Sequence, residues 1–472
     1  MAKTSTSKNP RAPKGRRQKS SVQPAATPLI NPLFHADAAG IDVGAGEFVA
    51  ALPPGRCAES VRTFSSFTSG VDALRDWLLA HGIKTAAMES TGNYWIMLYD
   101  RLTEAGIEVY LVNARHVKGV PGKNKTDVCD AQWLQQLHAA GLLRKSFRPA
   151  LGIVPLRYLM RHRSEMVGHA ATQLHLMQKV LTEMNLKLHH VFSDIDGVSA
   201  RAIIEAILAG ERDPKILARL RDRRCKSDEA DIIEALRGDY RPEYLFVLRQ
   251  AYETWQQQQR AIAECDGELS LLAAKVACPV QEPMPAAPAK QHRPGKNSPQ
   301  INPFEQGWLF YGVDLSSAPG IGAGVIAALM SEVGTGAQLL AAFRSPEAFS
   351  SWLGLCPDNR ISGGKVLKAK TRKIPSRLAG TLRLAAFALG KSPGEMGQLL
   401  RRLKGRLGKA EAITAVAHKL ARVIYGMIKS QRAYDEQEAF KQTPQKLARR
   451  RQRLEKEAAA LGFSLTALKH AA

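Results

Sequence analysis

The sequence predicts an α/β domain followed by a largely helical remainder, an α/β plus all-α architecture. Between residues 38 and 112, short apolar runs alternate with amphipathic helical patterns, as in a sheet covered by helices. Between residues 155 and 276, apolar side chains recur at the spacing of long helices. Helical patterns resume beyond a Pro-rich segment, and a length of 472 residues allows two or three domains.

Residues 1–36 are expected to form a disordered basic arm. Seven of the first twenty residues are Lys or Arg, and no acidic residue precedes Asp37. A segment of this composition buries too little apolar surface to fold, but its charge attracts phosphate backbones.

Residues 37–150 are predicted to form the α/β domain. Strands come first and then alternate with helices, which indicates a mixed sheet covered on both faces. The predicted strands are 40–44, 47–52, 61–64, 84–89 and 107–112, and the predicted helices are 71–80 and 94–104.

Four carboxylates mark this domain as the candidate site. Asp42 and Glu89 each end an apolar run, so we expect both at the carboxyl ends of buried strands, where α/β sheets place their chemistry. Asp127 and Asp130 stand three apart at the start of a helical pattern and share one face. Converging acids repel one another, and a divalent metal relieves that repulsion. The sequence predicts a catalytic site that holds Mg²⁺ or Mn²⁺ between these acids.

A simpler interpretation makes each acid a solvated helix or strand cap. Asp127 follows Thr126 and opens a helix, where a first-turn acid needs no further role. For one acid alone this alternative stays open. The set of four favours a shared site, because Asp42 and Glu89 follow apolar runs where an unpaired charge is costly.

A basic loop leads into Asp127. It lies between Asn113 and Thr126 and contains no acidic residue. Phosphate contacts beside a metal site need such a loop, although an ordinary solvated loop has a similar composition. The predicted nucleic-acid contacts here are Arg115, Lys118, Lys123 and Lys125.

Residues 151–278 are predicted to form a helical coiled-coil arm. Apolar residues follow a 3-4-3-4-3 spacing, which is typical of a coiled-coil seam: Leu174, Met177, Leu181, Met184, Leu188 and Val191. The arm folds back on itself or pairs with another protomer, and the pattern does not separate these arrangements. Residues 279–306 are a Pro-rich linker.

Residues 307–432 are predicted to form a C-terminal helical domain. The string Pro-Gly-Ile-Gly, with Gly320 and Gly322, resembles a helix-hairpin-helix turn, in which backbone N–H groups approach a DNA phosphate. Thirteen Lys or Arg and one acid lie between Ile361 and Lys409, a density that indicates a phosphate partner. The predicted contacts are Lys365, Lys368, Lys370, Arg372 and Lys373.

Ser362 precedes two glycines among these cations. We expect it to be exposed on a flexible loop, which suits a nucleophile or a phosphate ligand and equally suits a plain turn. A basic helical tail, 433–472, ends the chain.

Composition narrows the class of partner. The net charge of +24 and the pI near 9.9 indicate a polyanion, with nucleic acid ahead of a membrane surface. No apolar run is long enough for a transmembrane helix, and the basic N-terminus lacks the apolar core of a signal peptide. The six scattered cysteines contain no Cys-x-x-Cys pair and indicate reduced cytosolic thiols.

The order of these motifs resembles the DEDD transposases of bacterial insertion sequences, the IS-one-ten family. The order is Gly-Ile-Asp-Val-Gly, Glu-Ser-Thr-Gly, a basic loop, Lys-Thr-Asp-x-x-Asp, a helical arm, Pro-Gly-Ile-Gly, Gly-Leu-Cys-Pro and Ser-Gly-Gly-Lys. The resemblance covers about residues 38–429 without the linker. The basic arm and the linker look like extensions, and the chain is longer than typical members.

The resemblance implies an N-terminal RNase H-like fold of the RuvC type, with the four carboxylates binding Mg²⁺. Ser362 would be the nucleophile that bonds covalently to a DNA 5′-phosphate, with Ser376 a weaker alternative. The family further implies a structured guide RNA that pairs with donor and target DNA. It implies a homo-oligomer, a dimer or a tetramer, joined through the helical arm. The expected location is the bacterial cytoplasm, in association with the nucleoid and without a membrane.

Three other functions remain open from the residues alone. A metal-dependent nuclease or Holliday-junction resolvase would use water as its nucleophile and leave Ser362 idle. A non-catalytic nucleic-acid binder would need only the charge. A sugar kinase of the actin-like type is suggested by Gly-Ile-Asp-Val-Gly, but the charge and the missing second phosphate loop disfavour it.

Overall fold

A computed structural model describes residues 34–113, 126–276, 295, 297–368, 370–440, 444–464 and 466. The predictions for the N-terminal arm to residue 33, for most of the linker and for the end of the tail lie outside the described residues. The predicted contacts in the basic loop, Arg115, Lys118, Lys123 and Lys125, also lie outside them. The chain divides into two compact units, Met1–Phe147 and Arg148–Ala472.

The first unit is built on a five-stranded mixed sheet. Its strands are β1 Ala38–Val43, β2 Glu47–Ala51, β3 Val61–Ser65, β4 Thr85–Glu89 and β5 Glu108–Val112. They lie in the order β3-β2-β1-β4-β5. β1 pairs antiparallel with β2, and β2 with β3, whereas β4 and β5 run parallel to β1. The predicted mixed sheet is confirmed, with strand ends shifted by one or two residues.

Helices cover both faces of this sheet, because the strands are apolar on both sides. The helices α1 Thr68–Ala80 and α2 Trp95–Glu104 pack on one face, where their leucines join Ile41 and Met88 in one core cluster. The helix α3 Asp127–Ala139 covers the other face, with Leu134 against Ala87. Buried His138 of α3 bonds to the Thr85 hydroxyl across 2.8 Å, and burial lowers the pKa of His138 to about 4.

Gly40 is the point at which α3 approaches β1 most closely. A Cβ atom at Gly40 would lie 2.2 Å from both the Ala131 carbonyl oxygen and the Gln135 nitrogen. The Gln135 amide donates to the Ala38 carbonyl oxygen across 3.2 Å, one pleat earlier on the strand. Helix α3 therefore runs antiparallel to β1, with its N-terminal turn beyond Gly40 toward the end of the strand.

Replacement of Gly40 by Ala is expected to separate α3 from β1. The added methyl group overlaps backbone atoms, which cannot move as a flexible side chain can, so the free energy of unfolding should fall by about 3 kcal/mol. Gly46 is the matched control, since nothing lies within 4 Å of a Cβ built there. Urea denaturation of the two variants measures the difference, and equal effects of both substitutions would contradict the packing described.

The second unit begins with a helical region dominated by two long helices. These are α4 Val154–Glu183 and α9 Pro242–Lys275, which pack antiparallel within the chain. Near one end the buried Arg163 Nε atom lies 2.6 Å from Asp266 Oδ1, and near the other the Asp239 N–H donates to the Met184 carbonyl. Between them lie α5 Leu188–Val191, α6 Val198–Leu208, α7 Pro214–Ala218 and α8 Glu229–Ala235.

The apolar seam predicted to run to Val191 is interrupted. Helix α4 ends at Glu183, and Asn185 has a φ of +58°, in the left-handed region that asparagine tolerates better than most residues. Leu188 and Val191 therefore lie in the separate short helix α5. Met177 and Leu181 of the seam are buried in α4 as the spacing predicted.

The last part of the chain is helical apart from one hairpin. The hairpin strands are β6 Arg360–Ser362 and β7 Lys365–Lys368. The helices are α10 Pro303–Tyr311, α11 Ala323–Val333, α12 Gly336–Ala342, α13 Pro346–Trp352, α14 Arg377–Ala388, α15 Glu395–Leu407, α16 Lys409–Ser430, α17 Glu436–Phe440 and α18 Pro444–Ala460.

Among the described residues, no individual helix has the length and apolar composition to cross a membrane, and only the bent pair α11 and α12 meets that test jointly.

Candidate active site

Two of the four acids lie side by side at one edge of the sheet. Asp42 is the fifth residue of β1, and Glu89 is the last residue of β4. The two strands run parallel with Ile41 opposite Met88, so Asp42 and Glu89 occupy the next pair of positions. Side chains two residues apart on a strand share a face, so this pair points to the face covered by α3, as Gly40 and Ala87 do.

The other two acids lie in the first turn of α3. Because Gly40 contacts Ala131 and Gln135, the preceding turn of this antiparallel helix, with Asp127 and Asp130, faces the end of β1. The Thr126 hydroxyl caps the helix by accepting from the Cys129 N–H across 3.2 Å. Asp127 is exposed, whereas Asp42, Glu89 and Asp130 are half-buried.

The acids interact electrostatically. Burial, and after it repulsion from Asp127, Asp130 and Glu89 in that order, raises the pKa of Asp42 from 3.8 to about 6. The Val43 N–H, which hydrogen-bonds to the carboxylate, opposes this shift. The charged side chains that shift this pKa are all acids, so their repulsion disfavours the ionised form of Asp42. The four side chains therefore share one electronegative neighbourhood.

The donor set suits a hard divalent cation. All four side chains offer carboxylate oxygens, which Mg²⁺ and Mn²⁺ prefer, and three of them repel the fourth, Asp42. As they are oriented, however, no three Asp, Glu, His or Cys side chains of the described residues form a ready coordination shell. Joint ligation would therefore require these side chains to turn toward a shared ion. The residues fit the metal in the chemistry of their donor atoms.

The sequence analysis missed three residues of this unit that position the acids or the helix α3. The Thr91 hydroxyl donates to Glu89 Oε1 across 3.3 Å, and Gly40 and Gln135 fix the approach of α3. A glycine inside an apolar strand signals close backbone approach, so Gly40 was detectable. The contacts of Thr91 and Gln135 depend on the fold and had no sequence signal.

Ser362 belongs to the second unit and lies at the tip of the β6–β7 hairpin. It pairs with Lys365, and the two residues between them, Gly363 and Gly364, have φ values of +54° and +76°. Positive φ at both central positions is the type I′ geometry that joins two strands tightly. The hydroxyl is exposed as predicted, but Ser362 ends a strand and does not lie in the flexible loop that was expected.

The basic residues around Ser362 differ in their contacts. Lys365, Lys370 and Lys373 are exposed. The Arg372 guanidinium is also exposed, but its Nη2 atom donates to the carbonyl oxygen and the hydroxyl of Ser351, at 2.5 and 2.8 Å. Lys368 belongs to β7 through its backbone, and its side chain lies outside the described part. Arg372 is thus tied to the end of α13.

Ser376, the alternative serine, has a structural role. Its hydroxyl accepts from the Ala379 N–H across 3.2 Å and caps the N-terminus of α14. A serine that caps a helix is held away from other chemistry by that bond.

The Pro-Gly-Ile-Gly turn joins α10 to α11 through a short 3-10 turn, Leu315–Ser317. Gly320 has a φ of +80°, and a Cβ atom there would lie 3.1 Å from Leu389 Cδ1, so conformation and packing both require glycine. Gly322 is the N-cap residue of α11. A phosphate contact at this turn stays a prediction.

Two family models match the chain. One, for the DEDD transposase domain of the IS110 type, is described as a transposase and matches residues 39–186, which contain the four carboxylates. The other, described as a transposase of the IS116/IS110/IS902 family, matches residues 314–396, which contain Ser362 and Gly320. A comparison with curated proteins gave no match. The family predicted from the motifs is confirmed, and the chain belongs to the IS110 family of transposases.

Proposed function

We propose that this transposase cuts and rejoins DNA at the ends of its insertion element through a divalent-metal site and a serine nucleophile. Asp42, Glu89, Asp127 and Asp130 would hold Mg²⁺ or Mn²⁺. The observation that supports this assignment is geometric: Asp42 and Glu89 are neighbours at two parallel strand ends, and the first turn of α3, with Asp127 and Asp130, faces the end of β1. A bound ion would polarise the scissile phosphate and stabilise the leaving oxygen.

Ser362 is proposed as the nucleophile because it is exposed and because its partner across the hairpin is a lysine. Lys365 lies opposite it across the type I′ turn. A neighbouring ammonium group attracts the DNA phosphate and favours the ionised form of a weakly acidic hydroxyl. The rigid two-residue turn holds the serine at the tip, where a DNA strand can reach it.

The proposed step exchanges one phosphate ester for another. The Ser362 hydroxyl loses its proton to solvent, and its oxygen attacks the phosphorus. The Oγ–P bond forms, the P–O3′ bond breaks, and the released 3′ oxygen takes up a proton. The 5′-phosphate stays on Ser362 until a DNA 3′-hydroxyl attacks it and the serine leaves with its proton restored. Bond energy is conserved, so no ATP is needed.

Removal of divalent metal is expected to stop the reaction. With a supercoiled donor plasmid and Mg²⁺, the protein should cleave the element ends, and EDTA should lower the rate by on the order of 10³-fold because stabilisation of several kcal/mol is lost. Gel analysis of nicked and linear products measures the rate. Mn²⁺ added after EDTA should restore it, and undiminished cleavage in EDTA would exclude a metal-dependent mechanism.

The second candidate is a metal-dependent nuclease or junction resolvase with water as nucleophile. The same carboxylates would serve it, and Ser362 would be a bystander. A labelled DNA strand that migrates with the protein on a denaturing gel separates the two, because water attack leaves no covalent adduct.

We further propose that a structured RNA encoded by the element guides the protein and that the active assembly is a homo-oligomer. The net charge of +24 and the family membership support a second polyanion besides DNA. RNA recovered with the purified protein should match DNA that flanks the gene. Full cleavage of element ends by protein freed of RNA would contradict the guide.

A further inference from the structure

Arginines surround one buried glutamate in the second unit. Glu332 of α11 is 5% exposed. Arg161 of α4 donates two hydrogen bonds to its carboxylate, from Nε to Oε1 at 2.9 Å and from Nη2 to Oε2 at 2.7 Å. The Arg157 Nε atom, one helical turn earlier, lies 3.1 Å from Oε2. A single carboxylate is thus shared by two guanidinium groups.

Two further arginines add to this positive charge. Burial lowers the pKa of Arg157, Glu332 opposes that shift, and repulsion from Arg161, Arg148 and Arg377 adds to it. Arg377, at the start of α14, has an ion pair with Glu165 at 3.0 Å. Arg157 and Arg161 share the carboxylate of Glu332, and Arg377 pairs with Glu165. These three guanidinium groups therefore carry one positive charge more than the two carboxylates balance.

A cleft opens beside this cluster. It lies between α4, α11 and α14 and has a volume of about 210 Å³. Arg161, Arg377 and the Thr381 hydroxyl line it, and Gly324, Ala327 and Ala328 give the α11 wall little bulk. The Arg161 and Arg377 side chains are 39% and 42% exposed, so they face both the cleft and solvent. We call this the arginine cleft.

A purely structural role explains only part of the arrangement. Glu332 needs one cation for neutrality, and the bidentate Arg161 supplies it. The ion pairs of Glu332 hold α4 and α11 together, and Arg377 adds no stability to that contact. Arg377 pairs instead with Glu165, which is itself 60% exposed, and exposed ion pairs contribute little. Guanidinium groups that lie close together repel one another, and an anion bound in the cleft would reduce that repulsion.

We propose that the arginine cleft binds one phosphate group of a nucleic-acid backbone. The fork of a guanidinium group matches two phosphate oxygens, and Glu332 orients Arg161 so that its remaining N–H groups are presented in a fixed direction. A contact of this kind, from guanidinium groups to a backbone phosphate, would position the strand without reading its sequence. This inference rests on nucleic acid being the substrate of the proposed function, and DNA and RNA both supply the phosphate.

The test compares substitutions that act on Arg377 in opposite directions. Arg377→Gln removes the cation, whereas Glu165→Gln frees it from its ion pair. Arg101→Gln is the matched control, because Arg101 is 41% exposed, pairs with Glu104 and belongs to the first unit. Fluorescence anisotropy gives the affinity for a random 30-bp DNA duplex and for an RNA hairpin across a KCl series.

Arg377→Gln should weaken binding about fivefold near 150 mM salt and reduce the slope of log K against log [KCl] by about 1. Glu165→Gln should tighten binding, and Arg101→Gln should leave the slope unchanged. If Arg377→Gln loses affinity for the duplex alone, the bound phosphate belongs to DNA. If it loses affinity for the hairpin alone, the phosphate belongs to RNA. Equal effects of Arg377→Gln and Arg101→Gln, or shifts of Arg377→Gln and Glu165→Gln in the same direction, overturn the proposal.

Failure of this proposal is separable from failure of the proposed function. Metal-dependent cleavage by an Arg377→Gln protein that binds both probes normally would reject the arginine cleft and leave the function intact. A wild-type protein that never cleaves, with the binding loss present in Arg377→Gln, would reject the function and keep the cleft.

Discussion

Replacement of Asp42 by Asn is expected to abolish DNA cleavage and, at the same time, to stabilise the metal-free protein. The first effect follows because the substitution removes the central ligand of the proposed metal site, at a cost of several kcal/mol in the transition state. Cleavage should fall by on the order of 10³-fold. The second effect follows because the ionised carboxylate is repelled by Glu89, Asp127 and Asp130.

The stabilisation has a defined dependence on pH. The pKa of Asp42 is raised from 3.8 to about 6 in the fold, so its favourable contribution exists below pH 3.8 and is lost as pH rises through 6. At pH 7.5 the ionised group costs about 1 to 2 kcal/mol, after an allowance for its partial exposure. Asn removes this cost, so the gain should be full above pH 6 and shrink toward pH 4.

Thermal melting in EDTA at several pH values measures this gain, and Asp37→Asn is the control. Asp37 lies just before the same strand, but its hydrogen bond and ion pair with Arg56 lower its pKa. Its replacement should therefore destabilise slightly and leave cleavage unchanged. An Asp42→Asn protein that melts below wild type at pH 7.5 would contradict the electronegative neighbourhood.

Replacement of Ser362 by Ala is expected to eliminate the covalent protein–DNA adduct and strand transfer. Loss of a nucleophile with no substitute nearby typically costs at least about 1000-fold. The exposed hairpin tip packs on little, so the melting temperature should stay close to that of wild type. A denaturing gel of labelled DNA detects the adduct, and a plasmid assay follows strand transfer.

Ser376→Ala is the matched control for Ser362→Ala. It removes an N-cap, so the protein should lose about 1 kcal/mol of stability while the adduct persists. Strand transfer at the wild-type rate by Ser362→Ala would show that the nucleophile is another group. Loss of the adduct only in Ser376→Ala would identify Ser376 instead.

The sheet was predictable because its strands carry strong local signals. Apolar runs that end in Asp42 and Glu89 fix two parallel neighbours, and the tight turn at 44–46 fixes the antiparallel pair. The shared face of Asp127 and Asp130 followed from their spacing on α3. The sequence also predicted that Ser362 is exposed, since a serine followed by two glycines is typical of a turn at the surface.

Features that depend on distant contacts were not predictable. Helix α4 ends at Glu183 and Asn185 is left-handed, although the apolar pattern would continue the helix. Arg372 lies 21 residues from Ser351, so its bonds to the end of α13 had no sequence signal, and its phosphate contact stays a prediction. The helix cap at Ser376 is a local feature that the sequence analysis did not use. Glu332 and Arg161 lie 171 residues apart, so no spacing rule connects them.

Calorimetric titration of Mn²⁺ at pH 6, in two buffers of different ionisation enthalpy, measures whether the four carboxylates bind one divalent cation together. Asp42 is about half protonated at that pH, so binding should release about half a proton per ion, and little at pH 7.5. We expect saturable binding with this proton release in wild type and its loss in Asp42→Asn, Glu89→Gln and Asp130→Asn. Binding of Mn²⁺ with wild-type affinity by all three variants would contradict this joint binding.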